Sequence, residues 1–331
     1  MLKVARCNVA GARLLRMQTQ RGMASSTFAI AFDVDGVLLK GNEPVPGARN
    51  VLSYLSENKI PHVFMTNGGG STENIKAQSM SERLDVRIEE SQIVLGHTPM
   101  RSLRQKHSDD SVLVVGKHYE KLSPILHEYG IKNTITTEEY HQARPNSYSD
   151  LKAEGGERMA EEPDIKGIQA IFCMNDPLYW GRDLQIMYDV VVDSAHQVPI
   201  YSACADLLYS SDYHHPRFGN GSFRHAFNAL YEAVHGEEYS NQVLYGKPNK
   251  ISYDYVEELL LQDQHHHIEA IYMIGDNPET DILGARLAGG KWRSILTLSG
   301  LFNGEGEHHA DALVSDVNEA LAFIKSRHKL P

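Results

Sequence analysis

The stretch Phe28-Ala29-Ile30-Ala31-Phe32-Asp33-Val34-Asp35-Gly36 decides how this chain folds. Five apolar residues are too few for a helix, and they run straight into an acidic turn. That pattern predicts a buried parallel strand with two carboxylates at its carboxyl end. Aspartates at i and i+2 face the same way by the period-two rule. Unpaired carboxylates are costly to bury, so a cation or a hydrogen-bond network is expected beside them. A turn former alone would also place Asp here.

Working outward, Ala48 to Asn58 has helical spacing through Val51, Leu52 and Leu55. His62 to Met65 is a second apolar strand, ending in Thr66-Asn67-Gly68-Gly69-Gly70. Ser71 is the expected N-cap of a helix over Thr72 to Met80. Both polar motifs thus lie at strand carboxyl ends, where open α/β sheets bind ligands. The carboxyl part repeats the logic. A helix is expected over Ile251 to Leu261, then a strand over Ile271 to Ile274 running into Gly275-Asp276-Asn277-Pro278. Asp281 to Ala288 reads as a helix closed by Gly289-Gly290. Ser294 to Leu298 reads as a strand, and Asp316 to Lys325 as a last helix.

About 150 residues separate these halves and carry their own α/β pattern, enough for a second domain. Strands are expected near Val112–Val115, Ile168–Cys173 and Tyr188–Val192, with Tyr140 to Pro163 a long mobile polar loop. The expected divisions are residues 1–26, 27–90, 91–240 and 241–331.

The chain has 331 residues, 41% of them hydrophobic, and a net charge of -11. That charge argues against a nucleic-acid partner or a general anionic-membrane surface. No apolar run reaches a membrane span. Cys7, Cys173 and Cys204 are widely spaced without C-x-x-C, which fits a reducing compartment better than secretion. Residues 1–26 contain Lys3, Arg6, Arg13, Arg16 and Arg21 and no acid. Such a start has the composition of a mitochondrial presequence, and a basic tail is the bland alternative.

Several carboxylates at strand ends, without Cys or His companions, suit a hard oxygen-seeking ion such as Mg²⁺. Lys247, between Gly246 and Pro248, can supply a fixed positive charge. Thr66 and Asn67, followed by three glycines, offer hydroxyl, amide and backbone N–H groups to phosphate oxygens. Each has a bland reading as a turn residue or solvated lysine. His214-His215 and His265-His266-His267 are expected to be solvated rather than ligating. Gly116-Lys117 lacks the upstream glycine of a P-loop.

Asp33-Val34-Asp35-Gly36-Val37-Leu38, Thr66-Asn67, Gly246-Lys247-Pro248 and Gly275-Asp276-Asn277-Pro278-Glu279-Thr280-Asp281 resemble, in order, the four motifs of the haloacid dehalogenase (HAD) superfamily. The long insertion falls between the second and third motifs, as in class IIA, NagD-like hydrolases. The triple glycine, Asn175-Asp176-Pro177 with Trp180, and Arg217-Phe218-Gly219 are similar to a mitochondrial eukaryotic group of that class. The resemblance implies an α/β fold: a doubly wound parallel-sheet HAD core with an inserted α/β class IIA cap. It implies a phosphatase for a small phosphorylated metabolite, with Asp33 as nucleophile and Asp35 as acid and base. Mg²⁺ would rest on Asp33, Asp276 and the Asp35 backbone carbonyl. Thr66, Asn67 and Lys247 would hold phosphate, and Asp281 would orient Lys247 or act through a water. Dimerisation through the cap is a further implication. A non-catalytic phosphate-ligand or protein-binding member and a phosphomutase are the alternatives. The family's Asn-x-Asp-Leu-Leu cap segment reads Cys204-Ala205-Asp206-Leu207-Leu208 here, so Cys204 replaces an amide.

Overall fold

The structure is a computed structural model, described for residues 27–148, 167–209, 213–262 and 267–330. The expected presequence, residues 1–26, lies outside the described residues, as do residues 149–166 and His265 and His266.

Phe28–Phe32 is the central strand of a six-stranded parallel sheet. Alternation divides it between two cores. Phe28, Ile30 and Phe32 pack with the helices Ala48–Glu57, Glu73–Leu84 and Val317–His328. Ala29 and Ala31 face Lys250–Leu261 and Leu283–Ala288 on the other side. On one flank lie His62–Thr66 and then Ile93–Leu95; on the other lie Ala270–Gly275, Trp292–Thr297 and Ala312–Val314. Chain order therefore reverses between Phe28–Phe32 and Ala270–Gly275, and a crevice opens outside the carboxyl ends of those two strands.

The insertion builds a second parallel sheet of five strands. Its order is Gln242–Leu244, Ile200–Ser202, Ala170–Cys173, Val112–Val115, Thr134–Thr136. Sheet membership thus places Ile93–Leu95 with the first sheet and Gln242–Leu244 with the second, although the divisions drawn at 90/91 and 240/241 put each on the other side.

Three local expectations are corrected. Tyr188–Val192 is not a strand but the end of the helix Trp180–Asp193. Its valines suggest β-structure, yet Ile186, Met187, Val190 and Val191 are the buried set, a helical face. Within the expected mobile loop, Tyr140 is buried in the helix Thr137–Ala143, which Thr136 and Glu139 close with a capping box. Thr72, not Ser71, caps the helix Glu73–Leu84, because its extended backbone brings its hydroxyl to the Ile75 N–H.

Candidate active site

Asp33 follows the central strand and keeps its ladder one residue further, its N–H donating to the Ile274 carbonyl at 2.8 Å. Its carboxylate is buried, and Oδ1 accepts from Lys247 Nζ at 2.5 Å. The same ammonium donates to Asp281 Oδ1 at 2.7 Å. Asp281 Oδ2 in turn accepts the Asn277 N–H at 3.1 Å, so it is fixed from both sides. Asp276, across the crevice, accepts the Leu301 N–H on Oδ2 at 2.6 Å. Gly36 and Gly300 leave room for that carboxylate. A Cβ on Gly36 would stand 2.1 Å from Asp276 Oδ2, and its backbone is left-handed at φ +89°.

Asp33, Asp276 and Asp281 are all buried and have carboxylate oxygens within 4.8 Å of one another. Burial lifts Asp33 from 3.8 to about 7, with the Asp281 and Asp35 charges adding to the rise and Lys247 opposing it. Burial, then the Asp33 charge, lifts Asp276 to about 6. Desolvation alone would lower Lys247, but the Asp281 and Asp33 charges outweigh it and keep the ammonium charged. Among the described residues, one cation therefore faces three carboxylates. The all-oxygen donor set and its uncompensated negative charge fit a hard divalent ion. The Asp35 carboxylate stands outside this group and is exposed.

Thr66 is buried at the end of its strand, its Oγ1 accepting the Gly68 N–H at 3.1 Å. Asn67, expected on phosphate, has other partners. Its Oδ1 accepts the Lys247 N–H at 2.6 Å. Its Nδ2 donates to the Lys247 carbonyl at 2.9 Å and to both oxygens of Asp206 at 3.0 and 3.1 Å. The amide thus clamps the Lys247 backbone and ties the core to the cap.

Residues 30–132 match the family described as haloacid dehalogenase-like hydrolase, and residues 244–320 match the related HAD-hydrolase-like family. A mitochondrial hydrolase of Saccharomyces cerevisiae is 31% identical over 347 residues, covering 90% of this chain and 95% of that protein. The chain belongs to the haloacid dehalogenase-like hydrolases. A Schizosaccharomyces pombe fusion of cardiolipin synthase (CMP-forming) with a mitochondrial hydrolase is also 31% identical, over 90% of this chain and 53% of that one, so this chain spans about half of it. The fold is shared with a Thermotoga maritima 4-nitrophenylphosphatase, at TM-score 0.65 and 17% identity over 89% of this chain and 96% of that one.

In this HAD-like chain the structure brings Asp33, Lys247, Asp276 and Asp281 into direct contact or close approach, with Thr66 at the end of the neighbouring strand and Asp35 on the loop after Asp33. Two features escaped the sequence reading. The Leu301 amide on Asp276 follows the strand Trp292–Thr297, and one more strand end on the same edge was the available signal. Asp206 lies 139 residues from Asn67, and no local pattern pairs them. Arg182 in the cap is buried between Asp183 and Glu138. Near the chain's other histidine run, His267 pairs with Glu269 at 3.7 Å, and the rings of His214 and His215 lie 4.1 Å apart.

Proposed function

We propose that the chain is a Mg²⁺-dependent phosphatase that hydrolyses a small phosphate monoester through an aspartyl-phosphate on Asp33. The observation that carries this reading is the buried Asp33 carboxylate at the sheet's reversal point, held against Lys247 with Asp35 two residues on. Asp33 and Asp276, with the Asp35 carbonyl, would hold Mg²⁺, which when bound supplies positive charge against the repulsion between carboxylate and phosphate.

Asp33 attacks phosphorus as the bond to the ester oxygen breaks, and the Asp35 carboxyl gives its proton to the leaving oxygen. Asp35, now a carboxylate, takes a proton from water, which attacks the aspartyl-phosphate and frees Asp33 and inorganic phosphate. The Lys247 ammonium and the Thr66 hydroxyl hold phosphoryl oxygens as charge builds there. Asn67 serves by fixing the Lys247 backbone. Asp281 keeps Nζ aimed at Asp33. The exposed position of Asp35 suits it to meet both leaving group and water.

The 4-nitrophenylphosphatase that shares the fold supports the reaction class, and the mitochondrial hydrolase of yeast supports a mitochondrial location. Purified protein is expected to release inorganic phosphate from 4-nitrophenyl phosphate with Mg²⁺ present. Asp33→Asn is expected to reduce release at least a thousandfold, in line with loss of a covalent nucleophile. Equal turnover by wild type and variant would end the reading.

A further inference from the structure

The cap's own sheet also reverses chain order, between Val112–Val115 and Ala170–Cys173, and in open α/β sheets ligands bind outside the carboxyl ends of strands at such a point. Gly116-Lys117 follows the first of these strands and Asn175-Asp176 lies just beyond the second. The Asn175 side chain locks Lys117 in place: its Oδ1 accepts the Lys117 N–H at 2.7 Å, and its Nδ2 donates to the Lys117 carbonyl at 3.3 Å. The same amide abuts the core. A Cβ on Gly70 would stand 2.8 Å from Asn175 Nδ2, and one on Gly69 would stand 3.1 Å from the Met174 carbonyl.

Among the described residues, Lys117 Nζ meets Asp176 at 3.4 Å and the Tyr209 ring at 5.6 Å. Tyr209 comes three residues after Asp206, which is bonded to Asn67. The segments that carry the group thus meet the Thr66–Gly70 loop at Asn67, through Asp206, and at Gly69-Gly70, through Met174 and Asn175. The cap amide that abuts this loop is thus the one that holds Lys117. The side chains of Lys117 and Asp176 are 30% and 26% exposed, and a long, part-exposed ion pair contributes little and is readily exchanged for a ligand.

We propose that Lys117, Asp176 and Tyr209 form a subsite for the leaving group, and that it takes phosphate monoesters of small hydroxylated acids. The inference rests on the phosphatase reading. A carboxylate on the leaving group would accept from Lys117 Nζ, a hydroxyl beside it would donate to Asp176, and the carbon chain would lie on the Tyr209 ring.

The test compares 3-phosphoglycerate with glycerol 3-phosphate, which differ by a carboxylate in place of a hydroxymethyl group. Binding is measured by calorimetry with Mg²⁺ on Asp33→Asn protein, which does not turn them over. The acid is expected to bind at least tenfold more tightly. In Asp33→Asn/Lys117→Ala the ratio is expected to fall to near one, and in Asp33→Asn/Lys117→Arg to be largely kept. Equal affinities for the two esters in Asp33→Asn, an unchanged ratio in the Ala variant, or no binding of either ester would overturn the subsite. Failure of the phosphatase reading is seen separately, as wild-type protein that does not hydrolyse 4-nitrophenyl phosphate.

Discussion

At the residue scale, the site is a problem in charge. Three buried carboxylates share one ammonium, and the result is seen in Asp33 and Asp276, both lifted toward neutral pH by burial. A divalent ion bound between them would favour their ionised forms and stabilise the folded chain by mass action. Millimolar Mg²⁺ at pH 8 is therefore expected to raise Tm by several degrees, and scanning calorimetry of wild type against Asp276→Asn checks it. The variant is expected to lose most of the shift. For the wild type the shift should shrink as pH falls through about 7 and then 6, where protons compete with the ion for Asp33 and then Asp276. A shift of equal size in Asp276→Asn would place the ion elsewhere.

At the scale of elements, the helix Glu73–Leu84 meets the cap through a buried polar cluster. Glu73 accepts from Tyr129 at 2.5 Å, Thr98 at 2.7 Å and Arg101 at 2.9 Å. His97 Nδ1 lies 2.7 Å from the same Tyr129 hydroxyl. Burial pushes His97 from 6.5 down to about 4, against the opposing Glu73 charge, so the ring is neutral in the folded protein. Between pH 6.5 and 4 the unfolded chain takes up a proton here that the folded chain refuses, so stability falls as pH falls. The loss amounts to about 3 kcal/mol for this group. The raised Asp33 and Asp276 act the other way in the same window, since the unfolded chain releases their protons first. The measurable quantity is hence the difference between wild type and His97→Gln in urea unfolding at pH 4.5 and 7. The variant is expected to be the less destabilised by acid. Parallel pH profiles would show that His97 titrates alike in both states.

At the scale of the whole molecule, the elements of two parallel sheets are joined beside Lys247 by Asn67 and Asp206. The joint links the segment after the cap's strand Ile200–Ser202 to the loop after His62–Thr66. Asp206→Ala removes the acceptor from a half-buried amide, at a cost of about 1–3 kcal/mol. The expected outcome is faster limited proteolysis between the two sheets and a higher KM for 4-nitrophenyl phosphate. Wild-type cleavage rates in the variant would show that the cap is held by other contacts.

The strands Phe28–Phe32, His62–Thr66, Ala270–Gly275 and Trp292–Thr297 and the motifs at Asp33, Thr66, Lys247 and Asp276 were legible in the sequence, because each rests on local rules. An apolar run of five residues makes a strand, and a polar turn after it sits at the sheet edge. The helix Trp180–Asp193 was misread at its valines, since burial by neighbouring elements outweighs β-propensity there. Tyr140 was misplaced in a loop because charged neighbours masked a capped helix. What sequence alone determined is the α/β plan, the insertion point of the cap and the chemical types at the strand ends. Tertiary structure alone decided how they meet: Lys247 between Asp33 and Asp281, Asn67 given to Asp206 and the Lys247 backbone, and Lys117 held by Asn175 against Gly70. Those contacts join residues 34 to 214 positions apart. Only the closing of two sheets on each other sets such distances, whereas strand and turn chemistry is spent within a few residues of its origin.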